Sequence, residues 1–204
     1  MLRLRDGLTL YFCRHGETQA NVEKRFQGRG SDTPLTAMGR EQSRAVARLL
    51  RREVADPASL RFVSSPLTRA RATMEIILQT LGSPADGYTT DARLQEIDLG
   101  AWDGLTDDEA RALDPVLFEK RGNDKWNVHV PGGENYADVA ARAEAWIADL
   151  AADTFAVSHG AFTRILRGLF LGLSWKEMSN LDETQGVLFC VRGGEVRRLE
   201  HGAN

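Results

Sequence analysis

Three short apolar runs in this chain each end in a polar cluster, and that arrangement limits the fold more than any other feature. Leu8 to Cys13 runs into Arg14-His15-Gly16, Arg61-Phe62-Val63 into Ser64-Ser65-Pro66, and Thr154 to Val157 into Ser158-His159-Gly160. Each run has the length and β-branched or aromatic content of a buried strand. Each is followed by apolar residues at helical spacing. Met38, Ala45, Val46, Leu49 and Leu50 predict a helix over about 37–52. Leu67, Ala70, Met74, Ile77, Leu78 and Leu81 predict another, with Ser65 as N-cap, Pro66 at the first helical position and Gly82 as its stop. Phe162, Ile165, Leu166, Leu169 and Phe170 stripe a third.

The remainder completes the pattern. Thr106-Asp107-Asp108-Glu109 is a capping box that starts a short helix. From about Asp114 to Gly133 the periodicity breaks down among Pro115, Gly122, Pro131, Gly132 and Gly133, which predicts an irregular surface excursion. Helical spacing returns at Tyr136 and lasts to about Ala152. Gly186 to Val191 and Glu195 to Leu199, joined by Arg192-Gly193-Gly194, predict a hairpin. Strands alternating with helices give an α/β chain: a three-layer α/β/α sandwich around a mostly parallel sheet, closed by a C-terminal antiparallel hairpin. With 204 residues, one core is expected, so residues 1–204 read as a single domain with a lid or insertion at about 103–133.

In a parallel sheet, ligands bind beyond the carboxyl ends of the strands. The three polar clusters, with Arg69 one turn into the second helix, would therefore gather two histidines and two arginines at one edge. Arginine forks match phosphate oxygens and stay charged, and helix N-termini add N–H donors, so the chemistry is that of an anion pocket. Neither His-Glu-x-x-His nor Cys-x-x-Cys occurs, so no metal and no cofactor are expected. A Gly-x-Ser-x-Gly elbow is also absent, which leaves Ser65 as a helix cap rather than a nucleophile. His129 and His201 lack comparable surroundings and read as ordinary loop or core residues. A formal charge of −3 supplies no basic field for nucleic acid. No apolar run approaches the roughly 20 residues of a membrane span, and Met1 to Asp6 has no signal-peptide character. Cys13 and Cys190 fall inside apolar strands as inert small hydrophobes. These features predict a cytoplasmic protein, monomeric or homodimeric, without nucleic-acid or membrane partners.

Six blocks in order carry a resemblance. Arg14-His15-Gly16-Glu17-Thr18 with Asn21 is followed by a block made of Arg25-Phe26-Gln27-Gly28 together with Asp32-Thr33-Pro34-Leu35-Thr36 and Gly39, and then by Ser64-Ser65-Pro66-Leu67-Thr68-Arg69-Ala70. Then come Leu94-Gln95-Glu96-Ile97-Asp98-Leu99-Gly100-Ala101-Trp102-Asp103-Gly104, Pro131-Gly132-Gly133-Glu134 and Val157-Ser158-His159-Gly160. Over about residues 8–192 this resembles the histidine phosphatase, or phosphoglycerate mutase-like, superfamily. The resemblance implies that His15 is a nucleophile forming a phosphohistidine, that Arg14, Arg69 and His159 hold the phosphoryl oxygens, and that Glu96 is the proton donor. It further implies that Asn21, Gln27 and Gly28 add contacts to the phosphate, that Glu17 sets the conformation of its motif, and that Asp98 and Asp103 are structural or rim residues. To attack, His15 needs one nitrogen unprotonated, with the other donating to a backbone carbonyl. The short chain and the sequence after Glu96 resemble the phosphatase and α-ribazole phosphatase branch, so hydrolysis of small phosphorylated metabolites is expected. The alternatives are phosphoglycerate mutase-type transfer and an inactive phosphate-binding module. Substrate choice is expected to lie in the 103–133 segment, through Phe118, Lys120, Arg121, Lys125, Trp126 and His129, because the phosphate pocket sees only the group common to all substrates.

Overall fold

The computed structural model describes residues 1–200; His201 lies outside the described residues. Six strands form one sheet: β1 (Thr9–Arg14), β2 (Arg61–Ser64), β3 (Thr89–Thr90), β4 (Thr154–Ser158), β5 (Leu188–Arg192) and β6 (Glu195–Leu199). They lie in the order β3-β2-β4-β1-β5-β6. β1, β2, β3 and β4 pair in parallel, and β5 and β6 add an antiparallel edge. The hairpin turns at Gly193 and Gly194, with φ of 56° and 85°, a conformation glycine adopts without strain.

Alternation along the strands explains the two outer layers. Leu10 and Phe12 of β1, Val63 of β2, Ala156 of β4 and Phe189 of β5 face one side, against α6 (Tyr136–Ala148) and α7 (Gly160–Leu171). Tyr11, Cys13, Phe62, Phe155, Val157 and Leu188 face the other, against α2 (Ala37–Glu53) and α3 (Thr68–Leu81). Burying a side chain such as Leu10 or Phe12 contributes about 1.5–3 kcal/mol, so the alternation fixes which face each strand shows to which helix pair. The chain is thus the expected α/β/α sandwich with a mostly parallel sheet. Among the described residues, no helix is long and apolar enough to cross a membrane.

The sequence reading missed α1 (Gln19–Val22), β3, α5 (Pro115–Asn123) and α8 (Trp175–Asn180). Of these, α5 corrects the irregular segment expected from Asp114 onward. Asp114 caps it by accepting the Leu117 N–H at 2.9 Å, and Pro115 takes the first helical position. It follows α4 (Asp107–Leu113), which the Thr106 capping box starts as expected. Farther along, Val128 and Val130 are buried, so the segment contributes to the core rather than only covering it. Its apolar residues are too few and too unevenly spaced for a periodic signal.

α3 also departs from expectation. It begins at Thr68, and its N-cap position, Leu67, makes no side-chain hydrogen bond. Asp32 does the capping from outside, accepting the Thr68 N–H at 2.5 Å and the Arg69 N–H at 3.3 Å. Ser65 lies before the helix, where its Oγ accepts the Leu67 N–H at 3.3 Å and also meets His159.

Candidate active site

Register delivers the site. β2, β4 and β1 are adjacent and parallel, with Arg14 opposite Ser158 and Ser64 opposite Val157. The ladder runs on past the strand ends, because His15 N–H donates to Ser158 O and Ser65 N–H to Val157 O, both at 2.9 Å. His15, Ser65 and His159 therefore leave the sheet at one edge. The His15 and His159 rings stand edge to face with centroids 5.1 Å apart. Beyond His15, Gly16 lies so close to Gly39 that a Cβ on either glycine would collide with backbone, which locks the loop after β1 onto the start of α2.

His15 is buried and neutral. Its Nδ1 lies 2.8 Å from Gly16 O, which can only accept, so Nδ1 carries the proton and Nε2 keeps its lone pair. Burial, followed by the nearby Arg14 and Arg69 guanidinium groups, holds its pKa well below the usual imidazole value. His159 is depressed likewise, first by burial and then by Arg69, His15 and Arg14. Its Nε2 is 2.7 Å from Ser65 Oγ, while Nδ1 is buried without a partner among the described residues. Ser65 is thus a support for His159, and the N-cap position of α3 is Leu67 rather than Ser65.

The two arginines differ. Arg14 lines a cavity of about 630 Å³ together with His15 and Glu96. Its Nη1 donates to Glu183 O at 2.7 Å, and its buried Nε has no partner among the described residues. Arg69 stands behind the cavity wall, and all its N–H groups point at acceptors. Nη1 reaches Ser31 O and Asp32 Oδ1, Nη2 reaches Gln27 O and Gly28 O, and Nε donates to His15 Nε2 at 3.3 Å. Burial lowers its pKa, offset by Glu96 and Asp32.

Glu96 is buried at the start of α7. Its carboxylate accepts the N–H groups of Ile97 at 2.9 Å, Ala161 at 3.2 Å and Phe162 at 3.3 Å. Burial and then the charge of Glu183 raise its pKa, opposed by the Ile97 N–H, Arg69 and Arg14. A buried carboxyl with a raised pKa, lining the same cavity as His15, is suited to give and take a proton.

Other residues named from sequence fall into three positions. Asn21 lines the cavity and, with Oδ1 accepting from the Thr18 N–H and Gln185, has its amide nitrogen left to offer. Gln27 also lines it, but its amide is engaged by Thr18 and Thr33. Gly28 does not reach the cavity, since its N–H donates to Asp103 and its carbonyl accepts from Arg69. Glu17 bonds Thr36 and Gln42 and so shapes its loop, Asp98 holds the Gly100 N–H, and Asp103 clamps Gly28, Gly30 and Ser31. From the 103–133 segment, Phe118, Arg121, Gly122 and Lys125 reach the cavity. Trp126 packs instead against the core, and His129 is exposed and paired with Asp138 at 2.7 Å. Neither of these two lines the cavity, unlike Phe118, Arg121 and Lys125 of the same segment.

Sequence reasoning missed Asp32, Glu183 and Arg164. Glu183 lines the cavity, 3.8 Å from Arg14 Nη1 and 3.1 Å from Arg164 Nη2. It sits between α8 and β5, where Asp182-Glu183 reads as an ordinary turn. Among the described residues, no group of three or more His, Cys, Asp or Glu side chains is arranged to hold a metal.

Comparison with known proteins places this geometry. The chain is 35% identical to the "Probable phosphoglycerate mutase GpmB" of Salmonella paratyphi C, over 83% of this chain and 78% of that protein. Among solved structures, the α-ribazole phosphatase from Shigella flexneri superposes with a TM-score of 0.80 at 26% identity, covering 95% of this chain and 96% of that one. A mycobacterial glucosyl-3-phosphoglycerate phosphatase complexed with VO3 gives 0.77 at 30% identity, covering 94% and 96%. A family profile matches residues 10–199, and with it the strands, the edge and the buried histidine pair fall into one scheme: the chain belongs to the histidine phosphatase superfamily (branch 1).

Proposed function

We propose that this protein is a metal-independent phosphomonoester hydrolase that passes the phosphoryl group through His15. One observation carries the reading: a buried, neutral imidazole with its proton fixed on Nδ1 and its Nε2 lone pair at a cavity shared with Arg14 and Glu96. His15 Nε2 attacks phosphorus, the ester oxygen leaves, and Glu96 delivers the proton it needs. Water then attacks the phosphohistidine, giving its proton to the Glu96 carboxylate and regenerating both groups. Arg14 Nε and His159 Nδ1, polar atoms buried without partners among the described residues, are the donors best suited to the phosphoryl oxygens.

Arg69 enters differently from the other two. Its Nε–H occupies the very lone pair that must attack, so it hands that bond to a phosphoryl oxygen as the N–P bond forms. Asn21 supplies a neutral contact at the rim, and the 103–133 segment, through Phe118 and its neighbours, covers the substrate body as a lid. The expected substrates are small phosphorylated metabolites.

The mutase alternative rests on the name of the Salmonella relative. Incubating the protein with 3-phosphoglycerate, with and without 2,3-bisphosphoglycerate, separates the two. Release of inorganic phosphate, unaffected by a chelator, is expected; formation of 2-phosphoglycerate at a rate exceeding phosphate release would overturn hydrolysis.

A further inference from the structure

Two arginines of the cavity share one carboxylate, and neither step of the hydrolysis uses it. Glu183 Oε1 lies 3.1 Å from Arg164 Nη2, and Oε2 lies 3.8 Å from Arg14 Nη1. The Glu183 carbonyl also accepts from Arg14 Nη1 at 2.7 Å. Among the described residues, Glu183 supplies the polar contacts of the Arg14 guanidinium, whose Nε stays buried and unpartnered. An arginine side chain has many rotamers, and its planar fork turns as one piece, so the residue that holds one nitrogen aims the others. Arg164 is held in turn by the Tyr136 hydroxyl at 3.0 Å, which ties the shared carboxylate back to α6 and α7.

The loop that carries Glu183 is itself fixed. Asp182 accepts from Arg167 Nη1 at 2.8 Å, from Arg167 Nη2 through its carbonyl, and from Arg198 Nη1 at 2.6 Å. Arg167 is buried on α7, its guanidinium 4.5 Å from the centroid of the Phe189 ring. α7 and β6 therefore hold the segment before β5 from both sides. Gly160 leaves the space that the carboxylate fills. A Cβ there would stand 2.5 Å from Glu183 Oε2 and 3.3 Å from Arg14 Cζ, and since Gly160 has no positive φ, it is room rather than backbone conformation that calls for glycine. On the basis of the hydrolase reading above, we propose that Glu183 is a positioning residue, which aims Arg14 Nε at the phosphoryl oxygens of the transition state from a place that Gly160 keeps open. Its negative charge does nothing to attract the phosphate dianion of the ground state, so its effect belongs to kcat rather than to phosphate binding. The same charge is the second cause, after burial, that raises Glu96, the direction a proton donor needs.

Glu183→Gln tests this with p-nitrophenyl phosphate, whose leaving group needs no proton and so reports on Arg14 rather than on Glu96. The backbone carbonyl still holds Arg14 Nη1 in this variant, so kcat should fall by about tenfold, less than the 10²–10³-fold of losing a donor outright. Inorganic phosphate resembles the ground state and vanadate the five-coordinate transition state. Inhibition by phosphate should stay within about threefold of wild type or tighten, while inhibition by vanadate weakens about tenfold, as kcat does. Phosphate and vanadate weakening together, as a loosened fold would make them, or a kcat within twofold of wild type, would overturn the proposal. If the wild type hydrolyses no ester, the hydrolase reading fails, and the vanadate-to-phosphate ratio of Kd values still judges Glu183. A double-mutant cycle tests the space: Gly160→Ala should lower kcat strongly in the wild type and by less than about threefold more in Glu183→Ala. An equal loss in both backgrounds would remove the carboxylate's claim on that space. If the Gly160→Ala proteins fail to fold, Glu183→Gln decides alone.

Discussion

Asp32→Ala removes one carboxylate that serves two structures. It caps α3 from 36 residues away through the Thr68 and Arg69 N–H groups, and its Oδ1 lies 3.1 Å from Arg69 Nη1. The Arg69 side chain is 0% exposed and that of Asp32 22%. Losing a cap costs about 1 kcal/mol. Breaking a fully buried ion pair costs about 3–5 kcal/mol, and here the loss is reduced by the exposure of Asp32 and by the Ser31, Gln27 and Gly28 carbonyls that still hold the guanidinium. A loss of about 2–4 kcal/mol follows. Asp32→Asn keeps an acceptor and is a good cap, so it should lose roughly half of that. Because the same contacts aim Arg69 Nε at His15, kcat/KM for an aryl phosphate should fall by about 10²-fold in the alanine variant, the scale for one displaced donor to a developing anion. Urea unfolding and steady-state kinetics on both variants measure these effects. An alanine variant within about 0.5 kcal/mol of wild type, the spread of neutral surface changes, and with unchanged turnover would refute the reasoning.

Two further outcomes are expected. Glu96→Gln should slow alkyl phosphates by about 10²–10⁴-fold, and p-nitrophenyl phosphate far less, because a good leaving group needs no proton; equal losses would reduce Glu96 to a packing role. Stability should also depend on pH below about 6.5, the unfolded histidine value. There the unfolded chain protonates His15 and His159 while the fold, with both pKa values depressed, does not, so stability is full above that pH and declines as it falls, by up to about 1.4 kcal/mol per pH unit for each histidine. The raised pKa of Glu96 works in the opposite direction, so the Glu96→Gln protein is the one to titrate by urea unfolding; a flat profile from pH 6.5 to 5.5 would contradict buried neutral histidines.

Those histidines were legible in the sequence because strand ends in a parallel sheet share an edge, so His15 and His159 meet despite their separation. Short apolar runs likewise located β1, β2 and β4, and period-3.6 patterns α2, α3, α6 and α7. What escaped was held by single side chains rather than by periodicity. Asp32 caps α3 across 36 positions, and no local pattern announces a cap supplied from a distant loop. Ser65 looked like that cap because Ser-Pro precedes a helix in the usual way, yet its hydroxyl supports His159. α5 was hidden by its Pro and Gly content, and with it the direction in which Phe118, Trp126 and His129 point. Glu183 reaches Arg14 from the loop before β5, a contact that depends on how the antiparallel edge folds back and leaves no trace in composition.

The central claim is that the phosphoryl group passes through His15 Nε2, and rapid chemical quench tests it most directly. Mixing excess protein with an aryl phosphate and quenching in base should trap an acid-labile, base-stable phosphoryl group that forms at least as fast as kcat, maps to the peptide containing His15, and is missing in His15→Ala, which should not turn over. Turnover persisting in His15→Ala, or a phosphoryl group trapped on another residue, would contradict it.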